Sequence, residues 1–200
     1  MRLIRPPRWF QGLFPRYTWR FSVSDNSIFL TFDDGPHPDI TPFVLDLLKE
    51  YNWKATFFCV GANMERYPEL VERIVNEGHT LGNHSFNHEK GWVTHFKDYI
   101  ASFKQFEENY PTKFFRPPYG RMTKHQAKEI YKTHQIILWS WLSYDYDLSY
   151  SNEQIIENLK QIKPGDVLVF HDNPKISERN SQLLPKVFRI LTENYTSNKL

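Results

Sequence analysis

The sequence lacks three features that define large classes of protein: paired cysteines, long apolar runs and a strong excess of one charge. Cys59 is the only cysteine, which excludes an internal disulfide, and its place in the apolar stretch 55–60 predicts a buried, unreactive thiol. No segment approaches the roughly 18 apolar residues of a membrane-spanning helix. A formal net charge of +2 argues against a dedicated nucleic-acid binder. The 200 residues suffice for one domain with a proper core.

The first 25 residues form a basic and aromatic arm, which we separate from the domain at residues 26–200. Arginines alternate there with large apolar side chains, and Pro6, Pro7 and Pro15 interrupt the run before the core of a secretory signal can form. We expect the arm to pack on the domain, with a peripheral contact to anionic lipid as the alternative. With no signal, the expected location is the cytoplasm, with membrane association as the alternative, and we expect a monomer.

From residue 28 onward, strand and helix patterns alternate. Predicted strands cover 28–32, 55–60, 79–83, 114–115, 135–139 and 166–171, and predicted helices cover 41–51, 68–78, 96–110, 124–133, 151–161 and 181–194. Thr41 is expected to cap its helix, Val75 to lie on a buried stripe, and residues 19–23 to form a hairpin with the first strand. This alternation requires a parallel sheet, either open or closed into a barrel.

Two adjacent carboxylates stand at the end of the first strand, in the stretch TFDDGPHP at residues 31–38. Successive strand side chains point to opposite sides, so one of Asp33 and Asp34 can bind a metal while the other stays free for proton transfer. The alternative is a polar turn without chemistry. Other residues must decide between these interpretations.

His84 and His88 follow the third predicted strand, four residues apart in the stretch HSFNH. On a helical turn they share a face and, with a carboxylate, form a two-histidine, one-carboxylate metal set that leaves positions open for water or substrate. Two exposed histidines without a metal are the alternative. The remaining histidines at 79, 95, 125 and 134 lack such neighbours and are interpreted as surface residues.

Further polar residues stand after the other predicted strands. Arg116 begins the stretch RPPYG, Asp145 follows the strand that ends at 139, and His171 closes the last strand. In a parallel barrel the carboxyl ends of the strands share one face, which is where active sites are built. Because all of these residues stand just past the carboxyl ends of predicted strands, chance is a poor explanation for their placement.

The order of these motifs, TFDDGPHP, HSxxH, RxPYG, an Asp-containing loop and a terminal strand ending in His, resembles the polysaccharide deacetylase family. This family is also called the NodB homology domain or carbohydrate esterase family 4. The resemblance covers about residues 28–172. It implies an α/β fold, a distorted (β/α) barrel of about seven parallel strands in a single domain, and metal-dependent removal of acetyl groups from glycans that contain N-acetylglucosamine.

The resemblance also implies roles for individual residues. Asp34, His84 and His88 would bind the metal, for which we expect Zn²⁺, with Co²⁺ or another divalent ion as the alternative. Asp33 would be the general base and His171 the general acid. Arg116 would orient Asp33, and Asp145 would hold and tune His171. The expected substrate contacts come from Pro118, Tyr119, Gly120, Tyr146 and Val169, with the backbone N–H of Tyr119 as an oxyanion donor.

This sequence departs from the family pattern in two motifs. The fourth motif usually reads Asp-x-x-Asp-Trp, but Leu142 stands at its first Asp and Tyr146 at its Trp. Val169 stands where the last motif usually has Leu, which keeps an apolar pocket for a methyl group. Asp145 is retained, so the expected chemistry is not lost.

Several alternatives stay open. Trp139, Trp141 and Tyr144 are further candidates for stacking on sugars, with packing in the core as the other interpretation. The same barrel and metal could act on an O-acetyl ester or a cyclic amide, and a catalytically silent glycan-binding domain is a third hypothesis. Short loops predict a shallow, open groove, suited to an oligosaccharide end or a small lipid-linked sugar as well as to a polymer.

Overall fold

A parallel sheet of eight strands runs through residues 3–200, the residues that the computed structural model describes. The strands are β1 (Ser27–Asp33), β2 (Ala55–Cys59), β3 (Thr80–Asn83), β4 (Phe114–Phe115), β5 (Gln135–Ile136), β6 (Trp141–Leu142), β7 (Val167–His171) and β8 (Thr196–Ser197). The helices are α1 (Arg8–Gly12), α2 (Thr41–Glu50), α3 (Gly61–Arg66), α4 (Pro68–Asn76), α5 (Phe96–Asn109), α6 (Lys124–Ile130), α7 (Asn152–Asn158) and α8 (Ser177–Thr192).

The strand order is β5-β4-β3-β2-β1-β7-β6, and β8 pairs with β1 outside this path. Every pair of strands is parallel, so each connection must cross over, and helices form most of these crossovers. The seven strands of the path form a curled half-barrel. The prediction of an α/β barrel of about seven parallel strands in one domain is therefore confirmed.

The central strands are covered on both faces, as their apolar sequences predict. All five residues of β2 are buried, and six of the seven residues of β1 are buried. Phe32 stacks on Phe57 with ring centroids 5.3 Å apart, at the register where these two residues pair across the strands. This rigid centre places the ends of β1, β2 and β7 beside one another.

Three predictions about local structure are wrong. Residues 19–23 form no hairpin with β1; instead Arg20 forms an antiparallel bridge with Asp166. Thr41 is the first residue of α2 and not its cap, since its hydroxyl accepts a hydrogen bond from the His37 N–H and donates one to Asp172. Val75 lies on the outer side of α4 and is 50% exposed.

The N-terminal segment contacts the open edges of the sheet. Thr18 pairs with Ile137 just after β5, and the Leu142 N–H in β6 donates to the carbonyl of Ile4 at 3.0 Å. Arg5 forms an ion pair with the buried carboxylate of Asp166. Arg2, which the sequence analysis assigned to the arm, lies outside the described residues.

Not all of the remaining histidines lie on the surface. His79 is buried and accepts a hydrogen bond from the Ala55 N–H at 3.3 Å, and burial lowers its pKa to about 4. His134 is partly buried and its Nε2 lies 3.0 Å from a carboxylate oxygen of Glu107. Both were wrongly interpreted as surface residues, whereas Cys59 is buried as predicted.

Among the helices of residues 3–200, none combines the length and the apolar character needed to cross a bilayer.

Candidate active site

The carboxyl ends of the strands surround a cleft of about 770 Å³, a size typical of ligand-binding sites. Asp33 at the end of β1 pairs in register with His171 at the end of β7, and Asn83 at the end of β3 pairs with Phe115 in β4. The residues that directly follow these ends are therefore brought to one edge. Asp33, Asp34, His84, His88 and His171 all line the cleft.

Asp34, His84 and His88 form a candidate metal centre, because one ligand atom from each lies within 4.8 Å of the others. Asp34 Oδ1 is 3.1 Å from His88 Nε2 and 3.6 Å from His84 Nε2. His84 Nδ1 lies 2.7 Å from the Arg116 carbonyl oxygen, which holds the proton on Nδ1 and leaves the Nε2 lone pair for a metal.

The charge state of Asp34 also fits a metal ligand. Burial would raise its pKa, but the neighbouring imidazoles of His84 and His88 outweigh burial and hold the pKa well below its usual range. The carboxylate is thus ionised and faces two imidazole nitrogens. One carboxylate and two imidazoles suit a divalent transition metal and leave coordination positions open.

The loops that carry these ligands adopt unusual backbone conformations. Asp34 has φ of 82°, and His88 has φ of 59°, so the histidine pair does not lie on the helical turn that the spacing suggested. A Cβ on Gly35 would overlap the side chain of Asp172, which accepts a hydrogen bond from the Gly35 N–H. Asp172 is buried, and burial raises its pKa to about 7. The β1–α2 loop is therefore held against the end of β7.

Asp33 lies beside the candidate metal centre and is held by Arg116. The guanidinium donates from Nη1 to Asp33 Oδ1 at 2.6 Å and to the Thr31 hydroxyl at 2.7 Å. Its other nitrogens donate to the carbonyls of Ile137 and Leu138, and its Cζ lies 4.0 Å from the ring centroid of Phe58. Arg116 is fully buried, so its position is fixed from all sides.

His171 forms a second pair, with Asp145. Asp145 Oδ1 lies 2.7 Å from His171 Nδ1, while Oδ2 accepts from the His171 backbone N–H at 2.9 Å and from Asn180 at 2.9 Å. Burial opposes a charge on His171, but the negative charge and hydrogen bond of Asp145 outweigh burial and raise the pKa to about 9. The imidazole is therefore protonated at neutral pH.

One part of the cleft lining is the 3-10 turn Pro118–Gly120. Tyr119 is 50% exposed and lies beside His88 with ring centroids 4.8 Å apart, and Gly120 also lines the cleft. Pro118 is buried and is absent from the described cleft lining. A substrate contact from Pro118, as the motif implies, stays a prediction.

Another part of the lining contains the two departures from the family pattern. Tyr146 packs against His171 with ring centroids 4.9 Å apart and planes at 78°. Leu142 and Val169 pair in register between β6 and β7, and both line the cleft. The phenol of Tyr146 therefore flanks His171, where the family motif usually has an indole.

The three further candidates for stacking on sugars differ in their position relative to the cleft. Trp139 lines the cleft. Trp141 is fully buried and packs on Phe170 at 5.6 Å, so it belongs to the core and cannot stack on a sugar. Tyr144 packs on Tyr146 and lies outside the described cleft lining.

Six residues that line the cleft were missed by the sequence analysis: Val60, Asn63, Trp92, Arg121, Asn173 and Lys175. Asn173 donates to Asp34 Oδ2 at 3.1 Å and Asn63 donates to the Asp34 carbonyl at 2.8 Å. Val60 directly follows β2 and Asn173 stands two residues after β7, so the same rule of position at a strand end could have found both. The other four lie on loops or on the unpredicted helix α3, where no local pattern marks them.

The carboxyl edge of the curled parallel sheet holds the candidate metal centre and two ion pairs, Asp33–Arg116 and Asp145–His171. This combination defines an α/β-barrel protein with a hydrolase-like site. The family model described as polysaccharide deacetylase matches residues 22–138. The chain therefore belongs to the polysaccharide deacetylase family, as the motifs predicted.

Relatives with known names agree with this assignment. A peptidoglycan-N-acetylglucosamine deacetylase of Bacillus cereus is 39% identical over 171 residues, which cover 80% of this chain and 61% of the relative. A second B. cereus protein of the same name is 35% identical over 88% of this chain and 85% of the relative. The crystal structure of the peptidoglycan N-acetylglucosamine deacetylase Bc1960, in complex with 4-naphthalen-1-yl-N-oxidanyl-benzamide, superposes with a TM-score of 0.82. It is 31% identical and covers 96% of this chain and 94% of that chain.

Proposed function

We propose that this chain is a metal-dependent deacetylase that removes N-acetyl groups from glycans containing N-acetylglucosamine, with peptidoglycan glycan strands as the first candidate substrate. The observation that carries this proposal is the convergence of three parts on one cleft: the Asp34–His84–His88 cluster, the Asp33–Arg116 pair and the His171–Asp145 pair. The names of the relatives support the substrate class.

We assign Asp34, His84 and His88 as the metal ligands and Zn²⁺ as the native ion, with Co²⁺ or another divalent ion as the alternative. Such an ion polarises an amide oxygen and makes a bound water more acidic. The protein's own contribution is an ionised carboxylate, an imidazole whose tautomer is set by a backbone carbonyl, and open positions toward the cleft.

We assign Asp33 as the general base. It is close to Asp34 in the chain, yet its carboxylate is bonded to a buried guanidinium and not to the histidines. Arg116 fixes the orientation of the Asp33 carboxylate, which can then take a proton from the attacking water. Thr31 and two backbone carbonyls hold Arg116 in place.

We assign His171 as the general acid. The leaving amine needs a proton when the C–N bond breaks, and the Nε2 atom of a protonated His171 can donate it. Asp145 keeps His171 charged and holds Nδ1, which leaves Nε2 as the donor.

The cleft lining supports recognition of an acetamide on a sugar. Leu142, Val169 and Trp139 supply apolar surface near His171 for the acetyl methyl, and the backbone N–H of Tyr119 is our candidate oxyanion donor. Tyr119 and Tyr146 are about half exposed, which suits stacking on sugar rings.

The test is acetate release from N-acetylglucosamine oligomers, peptidoglycan glycan strands and an O-acetylated xylan. Zinc-loaded protein is compared with metal-stripped protein and with the Asp33→Asn variant. We expect release from the first two substrates that is lost in both controls. Release of acetate from the xylan alone would contradict the proposal and would indicate an O-acetyl esterase. Stoichiometric metal binding without any release would favour a silent glycan-binding domain.

A further inference from the structure

The N-terminal arm divides into a packed part and an exposed part. Phe10, Phe14, Tyr17 and Trp19 form a connected set of ring contacts, with centroids 5.4 to 6.4 Å apart. Tyr17 extends this set to Tyr131 at 5.8 Å. These residues pack against the domain through the contact between Tyr17 and Tyr131.

Trp9 and Leu13 do not take part in this packing to the same degree, since they are 72% and 64% exposed. They are four residues apart in α1 and its C-terminal cap, and Leu13 keeps a right-handed helical conformation. Residues at this spacing lie on the same face of a helix. The helix therefore presents an indole and an isobutyl group together to solvent, although single exposed apolar residues would need no explanation.

The exposed face of α1 lies in a strongly basic segment of the chain. The first 24 residues contain five arginines and no acidic residue, a formal +5 in a chain whose total is only +2. Arg5 and Arg20 are directed to the buried carboxylate of Asp166. Arg8 and Arg16 are exposed, and within residues 3–200 neither forms an ion pair with a carboxylate. Arg8 directly precedes Trp9 in the chain, and the Arg16 guanidinium lies 5.8 Å from the ring centroid of Tyr131. The positive charge that no carboxylate balances therefore belongs to the same arm as the exposed apolar pair.

We propose that the face formed by Trp9 and Leu13, together with Arg8 and Arg16 of the same arm, docks on the surface of a bilayer that contains anionic lipid. A tryptophan and a leucine next to arginines match the interfacial region, where the indole sits at headgroup level and the guanidinium meets phosphate. A second copy of the chain fits this face less well, because two such faces would bring arginines against arginines.

The arm is attached directly to the wall of the cleft. The Leu142 N–H donates to the Ile4 carbonyl at 3.0 Å, and the Tyr144 hydroxyl donates to the Leu3 carbonyl at 3.3 Å. Leu142 itself lines the cleft. Docking through the arm would therefore orient the domain, and the cleft with it, relative to the lipid surface. This inference does not depend on the reaction proposed above.

The first test is co-sedimentation of the full chain with phosphatidylcholine vesicles that either contain or lack phosphatidylglycerol. We expect binding that requires the anionic lipid and falls about fivefold for each of Arg8→Gln and Arg16→Gln. The double variant Trp9→Ala with Leu13→Ala should lose at least about tenfold. The matched controls are Leu148→Ala, since Leu148 is 73% exposed elsewhere, and Arg66→Gln on α3; both should bind as the wild type does.

The second test reports on Trp9 directly. Fluorescence quenching by lipids brominated on the acyl chain should be strong in the wild type and should fall to background in Trp9→Phe. Equal binding to vesicles without phosphatidylglycerol, unchanged binding of the Trp9/Leu13 double variant, or no binding of the wild type would each overturn the proposal. So would a Trp9-dependent dimer in solution that binds no vesicle.

Discussion

Asp33 and Asp34 are neighbours in the chain, yet their surroundings suit them to different tasks. Asp33 faces a buried guanidinium, whereas Asp34 faces two imidazole nitrogens. Asp34 follows the end of β1 with a φ of 82°, so it does not continue the alternation of the strand, and both carboxylates line the cleft. The roles of the two carboxylates can therefore be tested separately by experiment.

We expect Asp33→Asn to lower acetate release by about 10² to 10⁴ while metal binding stays near wild type, because the amide cannot accept a proton. Asp34→Asn should instead weaken zinc binding, since it removes the anionic ligand. Zinc titration by calorimetry, beside acetate release on the same samples, measures both. A loss of zinc affinity in Asp33→Asn equal to that in Asp34→Asn would contradict the assignment.

The His171–Asp145 pair predicts the alkaline side of the pH profile. His171 acts in its protonated form, so kcat/KM should fall as pH rises through the His171 pKa of about 9. In Asp145→Asn the charge that raises this pKa is gone, and the fall should move to lower pH. The profile of kcat/KM from pH 6 to about 10 tests this. A profile with the same alkaline limit in both proteins would exclude His171 as its source.

At the scale of elements, the β1–α2 loop joins the two halves of the site. It carries Asp34 and is held by the buried Asp172, whose oxygens bind the Gly35 N–H and the Thr41 hydroxyl. The strand end alone would not place Asp34 toward His88. The contacts of Asp172 with this loop, and the hydrogen bonds of Asn63 and Asn173 to Asp34, hold it there.

Gly35→Ala should therefore destabilise the protein by about 1 to 3 kcal/mol and weaken zinc binding, because the added methyl overlaps the Asp172 side chain. Gly12→Ala is the matched control, since a Cβ at Gly12 meets no atom within 4 Å. Urea unfolding of both variants provides the comparison. Equal stability of the two would show that the loop can move away from Asp172 at little cost.

At the scale of the whole molecule, the N-terminal arm completes the side of the sheet that the strands leave open. Arg5 reaches Asp166, a fully buried carboxylate that also accepts from the Ser140 hydroxyl at 2.8 Å and the Lys163 N–H at 2.8 Å. A buried carboxylate is costly without its partner. The arm therefore contributes to the stability of the domain as well as to the proposed membrane contact.

Arg5→Gln should lower the free energy of unfolding by about 2 kcal/mol, because it leaves Asp166 with the weaker contact to Arg20. The exposed pair Lys160–Glu157 serves as the control, and Lys160→Gln should leave stability unchanged. Chemical denaturation of the full chain measures both. If the two variants unfold alike, the arm is not coupled to the core through Asp166.

The sequence by itself determined the alternation of strands and helices, the parallel sheet and the residues at its carboxyl edge. Apolar β-rich runs and helical periodicity are local signals, and the edge follows from them because parallel strands share a direction. Even the capping box of Ser151 and Gln154 could be read locally, and the structure contains it. Motif order then identified the family.

Only the tertiary structure decided which of these residues touch and what surrounds them. His79 was interpreted as a surface residue and Trp141 as a candidate for stacking on sugars. Both are buried, because residues far away in the chain pack over them. Asn63, Trp92 and Arg121 reached the cleft through loops that carry no periodic signal. The exposure of Trp9 beside the packed Phe10 also depends on which side of a short helix meets the domain. Local sequence patterns cannot predict these contacts and exposures, because each is set by residues far apart in the chain.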